Sequence, residues 1–176
     1  MSDCSCPKVF NKSDYDGREL FWDSRTFYHI GMPMLYHIPV FYDFFSKRLY
    51  REIESSGLEQ INDIVLLRDS AWIGELMVEV EGGDHPKIRD YDKTRVRAAV
   101  WEGPWHRLEP AIKQIKKEVK ESDDSIEAMY FWYASCPACL EENGYRTVIF
   151  AILEPRVHAW VSEPRVKITE PVKDSS

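Results

Sequence analysis

The sequence predicts an α+β fold: tandem β-α-β-β repeats with pseudo-twofold symmetry, a mostly antiparallel sheet, and two main helices around a central cleft. Three observations predict it. Phe45, Leu49 and Ile53 recur four apart, and Leu108, Ile112, Ile115 and Val119 follow at steps of four, three and four, so each set forms one stripe of a helix. Each helix is preceded by a strand that ends in a backbone break, Pro39 in one case and Gly103-Pro104 in the other, and the breaks lie 64 positions apart. Each helix is then followed by two apolar runs with strand character.

In chain order, residues 34–38 read as a strand that Pro39 ends. The first helix covers residues 42–56, and Gly57 supplies the stop because it adopts positive φ freely. Residues 64–67 form a covered strand. Leu76, Val78 and Val80 alternate with Met77 and Glu79 as a half-exposed one, closed by Gly82-Gly83. The second half repeats the order, with strands at 96–101, 128–133 and 148–153. Three segments result: an extension over 1–30 with little regular structure, a repeat domain over 31–155 (repeats 31–83 and 88–155), and a C-terminal strand and mobile tail over 156–176.

Composition narrows the function. The 176 residues are 44% apolar and 30% charged, with a net charge of −7, so a phosphate-neutralising nucleic-acid surface is not expected. No apolar run reaches the ~18 residues a membrane helix needs, and no apolar leader opens the chain, so the cytoplasm is the expected location and no membrane partner is expected. Six Trp, nine Tyr and eight Phe supply large, stiff apolar surface suited to a core or to a pocket for flat ligands. One helix for three strands covers only one sheet face per half. The partner half or a guest compound must complete the other. Strict alternation puts Glu127, Met129, Phe131 and Tyr133 on one face of their strand and Ala128, Tyr130 and Trp132 on the other.

The segment Val100-Trp101-Glu102-Gly103-Pro104-Trp105, followed by an amphipathic helix, resembles the GyrI-like family. That family shares its fold with the effector-binding domains of multidrug-responsive activators and, more distantly, with SOUL haem-binding proteins. Gly103-Pro104-Trp105 stands where the family has Gly-Pro-Tyr. Phe131-Trp132-Tyr133 stands where it has Glu-x-Tyr, and Pro39-Val40-Phe41 occupies the matching break of the first repeat. The resemblance covers residues 31–154 and implies a cleft for hydrophobic, aromatic or cationic small molecules, hydrolytic in some members. The ligand-lining candidates are Tyr36, Phe41, Trp101, Trp105, Met129, Phe131 and Tyr133. The family's cleft carboxylate falls on Phe131, and a phenyl ring cannot act as a base. Glu127 and Glu102 are therefore the candidate catalytic carboxylates.

Cys136-Pro137-Ala138-Cys139 has the spacing of a redox motif, but only seven residues separate Cys139 from the strand at Thr147. A parallel crossover needs a dozen or more, so the loop joins antiparallel strands. With Cys4 and Cys6 these thiols make a four-thiolate set for zinc; a local disulfide or free thiols are the alternatives. The relation to SOUL proteins brings haem or another tetrapyrrole into view, with His37 the ligand in principle. Three functions follow for test: binding or sequestering a hydrophobic or aromatic small molecule, cationic ones included; hydrolysis of a reactive electrophile; and a zinc-stapled interaction module.

Overall fold

Alternation of apolar residues fixes one strand at each end of each half, and antiparallel pairing then joins the strands into one sheet. The computed structural model describes residues 10–135 and 144–156. The strands are β1 (Arg18–Trp22), β2 (Arg25–Leu35), β3 (Ile38–Pro39), β4 (Gln60–Arg68), β5 (Ile73–Val80), β6 (Ile88–Tyr91), β7 (Thr94–Glu102), β8 (Ile126–Tyr133) and β9 (Arg146–Leu153). The helices are α1 (Tyr42–Ser55), between β3 and β4, and α2 (Glu109–Glu121), between β7 and β8. The order across the sheet is β1-β7-β9-β8-β4-β5-β2-β3, with β6 also beside β2, and every pairing is antiparallel.

The expected α+β duplication is present. The halves meet where Leu67 faces Phe131. Those two residues stand 64 apart, the spacing that also separates Pro39 from Gly103. The pseudo-twofold axis thus runs through that pair, exchanging β4 with β8, β5 with β9, and β2 with β7.

The extension expected over 1–30 is corrected by β1 and the first part of β2. Trp22 pairs with Thr94 and Arg25 with Tyr91 in one continuous antiparallel register. Only the bends at residues 23–24 and 92–93 interrupt it. This ribbon links the two outer strands, so the sheet curls back on itself. Each repeat therefore begins a strand earlier than the apolar pattern suggests. The strand expected at 34–38 also ends sooner: β2 stops at Leu35, residues 36–37 turn, and Pro39 pairs back to Met34.

Three apolar clusters fill the fold. Under α1, Leu49 and Ile53 cover Tyr28, Ile30, Met32, Leu67, Leu76 and Val78. Under α2, Leu108 and Ile115 cover Phe131, Ile149 and Ala151. The face turned away from both helices holds Trp22, Phe27, Tyr130, Trp132 and Phe150, with Phe10 and Tyr15 packed on them. The partner half or a guest was expected to complete that face. The chain's own rings complete it, because the N-terminal residues supply the aromatic surface that one helix per half cannot. Among the described residues no helix is long and apolar enough to cross a membrane.

Candidate functional site

On the helix side the two halves meet along a seam over β4 and β8. Alternation places Val65 and Leu67 of β4, and Met129, Phe131 and Tyr133 of β8, on that side, with Leu67 and Phe131 buried under the helices. Tyr133 packs against the clusters of both helices, so its ring lies between them. The helical stripe of α1 adds Tyr42 and Tyr50 to the same wall. Burial pushes the Tyr133 phenol up to about 12, and the charge of Asp69 adds to the rise. Burial also raises Tyr42, with Tyr50, Tyr133 and Asp43 contributing. Tyr50 is raised by burial and then by Asp63. All three phenols are therefore neutral hydroxyl donors at neutral pH, with three carboxylates, Asp43, Asp63 and Asp69, within electrostatic reach.

At one end of the seam His37 Nδ1 lies 2.8 Å from Asp69 Oδ2. A carboxylate only accepts, so Nδ1 carries the proton and Nε2 stays open. Tyr36, with φ 48°, and His37, with φ 70°, form a two-residue left-handed turn. Phe41, which precedes α1, is left-handed as well, with φ 58°. The ring of Tyr36 meets that of Trp72 at 5.1 Å and 54°, and both rings are mostly exposed. His37 thus sits in a turn rather than in a strand, and an acid partner already occupies one of its ring nitrogens.

The residues proposed from sequence are divided by the structure. Tyr36 and Phe41 are exposed, Tyr36 against Trp72 and Phe41 just before α1, and Tyr133 lies in the seam. Phe131 is buried beneath α2, with Trp101 and Met129 half-buried around it. Trp105 is 45% exposed and edge-on to His106. Trp101 Nε1 donates to the Pro104 carbonyl, which folds its indole over the break.

Neither candidate carboxylate meets the seam's tyrosines. The pairing of β8 with β9 slips between Ile126 and Ala128, and this bulge ends the alternation that would put Glu127 beside Met129. Glu127 lines an open depression of about 910 Å³ that also contains Arg68, Arg89, Tyr91, Arg95 and Tyr130. It stands at the far end of β8 from Tyr133, roughly 20 Å along the strand. Glu102 is ion-paired with Lys12 at 2.7 Å, on the strand face opposite Trp101. Sequence reasoning missed Tyr42, Tyr50, Asp69 and Trp72. The first two look like ordinary positions on a helical stripe, and the other two fall in a connection.

Cys4, Cys6, Cys136 and Cys139 lie outside the described residues. Among the described residues no three His, Cys, Asp or Glu side chains gather as a metal site. β8 and β9 are antiparallel neighbours, which agrees with the reading of their connection as a non-thioredoxin loop.

A protein-family model described as Bacterial hydrolase matches residues 1–153. The chain belongs to that family. No curated protein matches the sequence. Among solved structures, the EcmrR C-terminal domain superposes with a TM-score of 0.60 at 12% identity, covering 80% of this chain and 98% of that one. A hydrolase encoded by lin2189 from Listeria innocua superposes with a TM-score of 0.56 at 9% identity, covering 80% and 93%. A structure of EcmrR in complex with DNA gives 0.57 at 12% identity, and this bacterial hydrolase family member spans 57% of that longer chain. At these identities the likeness is one of fold.

Proposed function

We propose that this protein binds hydrophobic, aromatic or cationic small molecules in the seam between its two helices, and hydrolyses a reactive member of that class. The observation that carries this reading is the convergence of Tyr42, Tyr50 and Tyr133 on one seam with the charges of Asp63 and Asp69 nearby. Stacked rings each add about 0.5–1.5 kcal/mol beyond area burial, and their faces attract a cation. Neutral phenols can donate to negative charge that develops on a leaving atom or carbonyl oxygen. Membership of a family described as Bacterial hydrolase, and a fold shared with a Listeria hydrolase, support the catalytic half. The fold shared with the EcmrR C-terminal domain fits a ligand-binding scaffold.

Two measurements test the proposal. Titration with an aromatic cation such as rhodamine 6G, read by tryptophan fluorescence, should saturate in the wild type and weaken about tenfold in Tyr133→Ala. Incubation with styrene oxide and p-nitrophenyl butyrate, followed by chromatography, should show catalysed addition of water to at least one. The binding half is discarded if no saturable change occurs, and the hydrolytic half if neither probe turns over.

A further inference from the structure

We propose that His37, oriented by Asp69, is the general base of the hydrolytic site. This rests on the hydrolytic reading above and adds to it the group that moves the proton.

The geometry is that of an oriented imidazole. With Nδ1–H donating to Asp69 at 2.8 Å, Nε2 is the ring nitrogen not engaged by that carboxylate. His37 is 61% exposed and Asp69 28%, so the base is open to water while its orienting carboxylate is partly shielded.

The backbone shows that the placement is imposed. Tyr36 and His37 are the two loop residues of the β2–β3 hairpin, closed by the pairing of Leu35 with Ile38, and a two-residue hairpin loop takes left-handed φ at both positions. Met34 N donates to the Trp72 carbonyl at 2.8 Å, and Tyr36 N to the Ala71 carbonyl at 3.1 Å, which ties the 36–37 turn to the connection that carries Asp69. Val40 N closes the other side on the Pro33 carbonyl at 3.2 Å.

The surroundings connect the pair to the binding seam. The charge of Asp69 reaches the Tyr133 phenol, and the Tyr36–Trp72 ring pair flanks the turn as a platform for an apolar substrate.

The step conserves atoms and charge. A water oxygen forms a bond to the electrophilic carbon of the substrate, and the bond from that carbon to the leaving atom breaks with its electron pair on the leaving atom. His37 Nε2 takes the proton that the water loses and returns it to the leaving atom. No oxidant or reductant is involved.

The test uses the full chain with styrene oxide and p-nitrophenyl butyrate. His37→Gln should lower kcat by about a hundredfold or more with KM changed less than about twofold, the range expected for loss of a general base. Asp69→Asn should lower kcat by roughly tenfold or more, again with KM held, because the carboxylate acts only through the imidazole. In His37→Ala, added imidazole should restore turnover in a saturable way, which a structural role would not produce. Equal melting temperatures establish that the variants fold. Absence of turnover in the wild type overturns the hydrolytic reading and this inference together. Wild-type turnover left unchanged in His37→Gln, or not rescued by imidazole in His37→Ala, overturns this inference alone.

Discussion

Ser24 and Lys93 hold the same left-handed backbone, with φ 52° and 48°, at the two facing bends of one antiparallel ribbon. Neither is glycine, so each bend carries the left-handed penalty of about 1–2 kcal/mol, less the entropy of about 0.5–1 kcal/mol that a glycine would lose on folding. Ser24→Gly and Lys93→Gly should each stabilise the protein by about 0.5–1 kcal/mol. Ser24→Val should destabilise it, since a β-branched residue tolerates positive φ least. Urea midpoints at constant slope measure both signs; a glycine variant with a lower midpoint would show that the bend is not strained.

Glu79 is buried, and Arg25 reaches it with both arms of its guanidinium, Nε at 2.6 Å and a terminal nitrogen at 2.5 Å, while Asn62 donates to the same carboxylate at 2.6 Å. Arg25 also lies over the rings of Trp22 and Phe27. Arg25→Met would leave the carboxylate buried without its counter-charge. The expected cost is about 3 kcal/mol, the low end for a broken buried pair because Arg25 is partly solvated. Arg25→Met with Glu79→Leu should recover most of that loss. Chemical denaturation of the two variants decides it: if the double variant is no more stable than the single one, the isolated charge is not what costs.

Helical periodicity made both helices legible, because Leu49 and Ile53, and Ile115 and Val119, must all face the sheet. The duplication was legible for a related reason: a twofold axis forces equal spacing on Pro39–Gly103 and on Leu67–Phe131. The ribbon was not. Trp22-Asp23 and Tyr91-Asp92 are echoes 69 positions apart, yet their left-handed bends lack the glycine that marks such turns. Glu127 was misplaced because a bulge breaks the period of two on which face assignment rests. The His37–Asp69 pair joins residues 32 positions apart through two connections, where no periodic signal exists.

Acid should weaken the tie between α1 and the sheet. Glu52 on α1 accepts from Lys87 at 2.5 Å, from Arg48 at 2.7 Å and from Tyr28 at 3.1 Å. The Lys87 ammonium is the main reason its carboxyl is held down at about 2; burial opposes this, and Arg48 and Tyr28 reinforce it. The unfolded value is about 4.3. A depressed folded value means the stabilisation is present above about 4.3 and is lost as pH falls toward 2. Glu52→Gln should flatten the stability profile across that window and leave the slope above pH 5 unchanged. Denaturant titrations at stepped pH check this.

Gly103 is needed for the space above it. A Cβ there would come within 2.8 Å of Trp101 Cζ2 and 2.9 Å of Cε2, too close for any real contact. The indole cannot swing away freely, because its Nε1 donates to the Pro104 carbonyl and its ring packs with the α2 cluster. Gly103→Ala should therefore cost about 1–3 kcal/mol, as overpacking does. It should also change the tryptophan emission, since the displaced ring is a reporter. An alanine variant with native stability and emission would mean the break tolerates a side chain.

Tyr36 and Trp72 offer the remaining test of how a guest enters the seam. Their rings are 69% and 59% exposed, so replacing either should alter stability by less than about 0.5 kcal/mol, as for surface positions generally. Each ring stacked on a flat ligand contributes about 0.5–1.5 kcal/mol, which corresponds to an affinity loss of roughly two- to twelvefold on truncation. Trp72→Ala should weaken rhodamine 6G binding within that range while leaving the melting temperature in place. Tyr36→Ala should do the same, and the double variant should lose less than the product of the two because the rings already touch at 5.1 Å. Calorimetric titration reads all three affinities. Binding unchanged in both single variants would remove the platform from the binding path and leave Tyr42, Tyr50 and Tyr133 to hold the ligand alone.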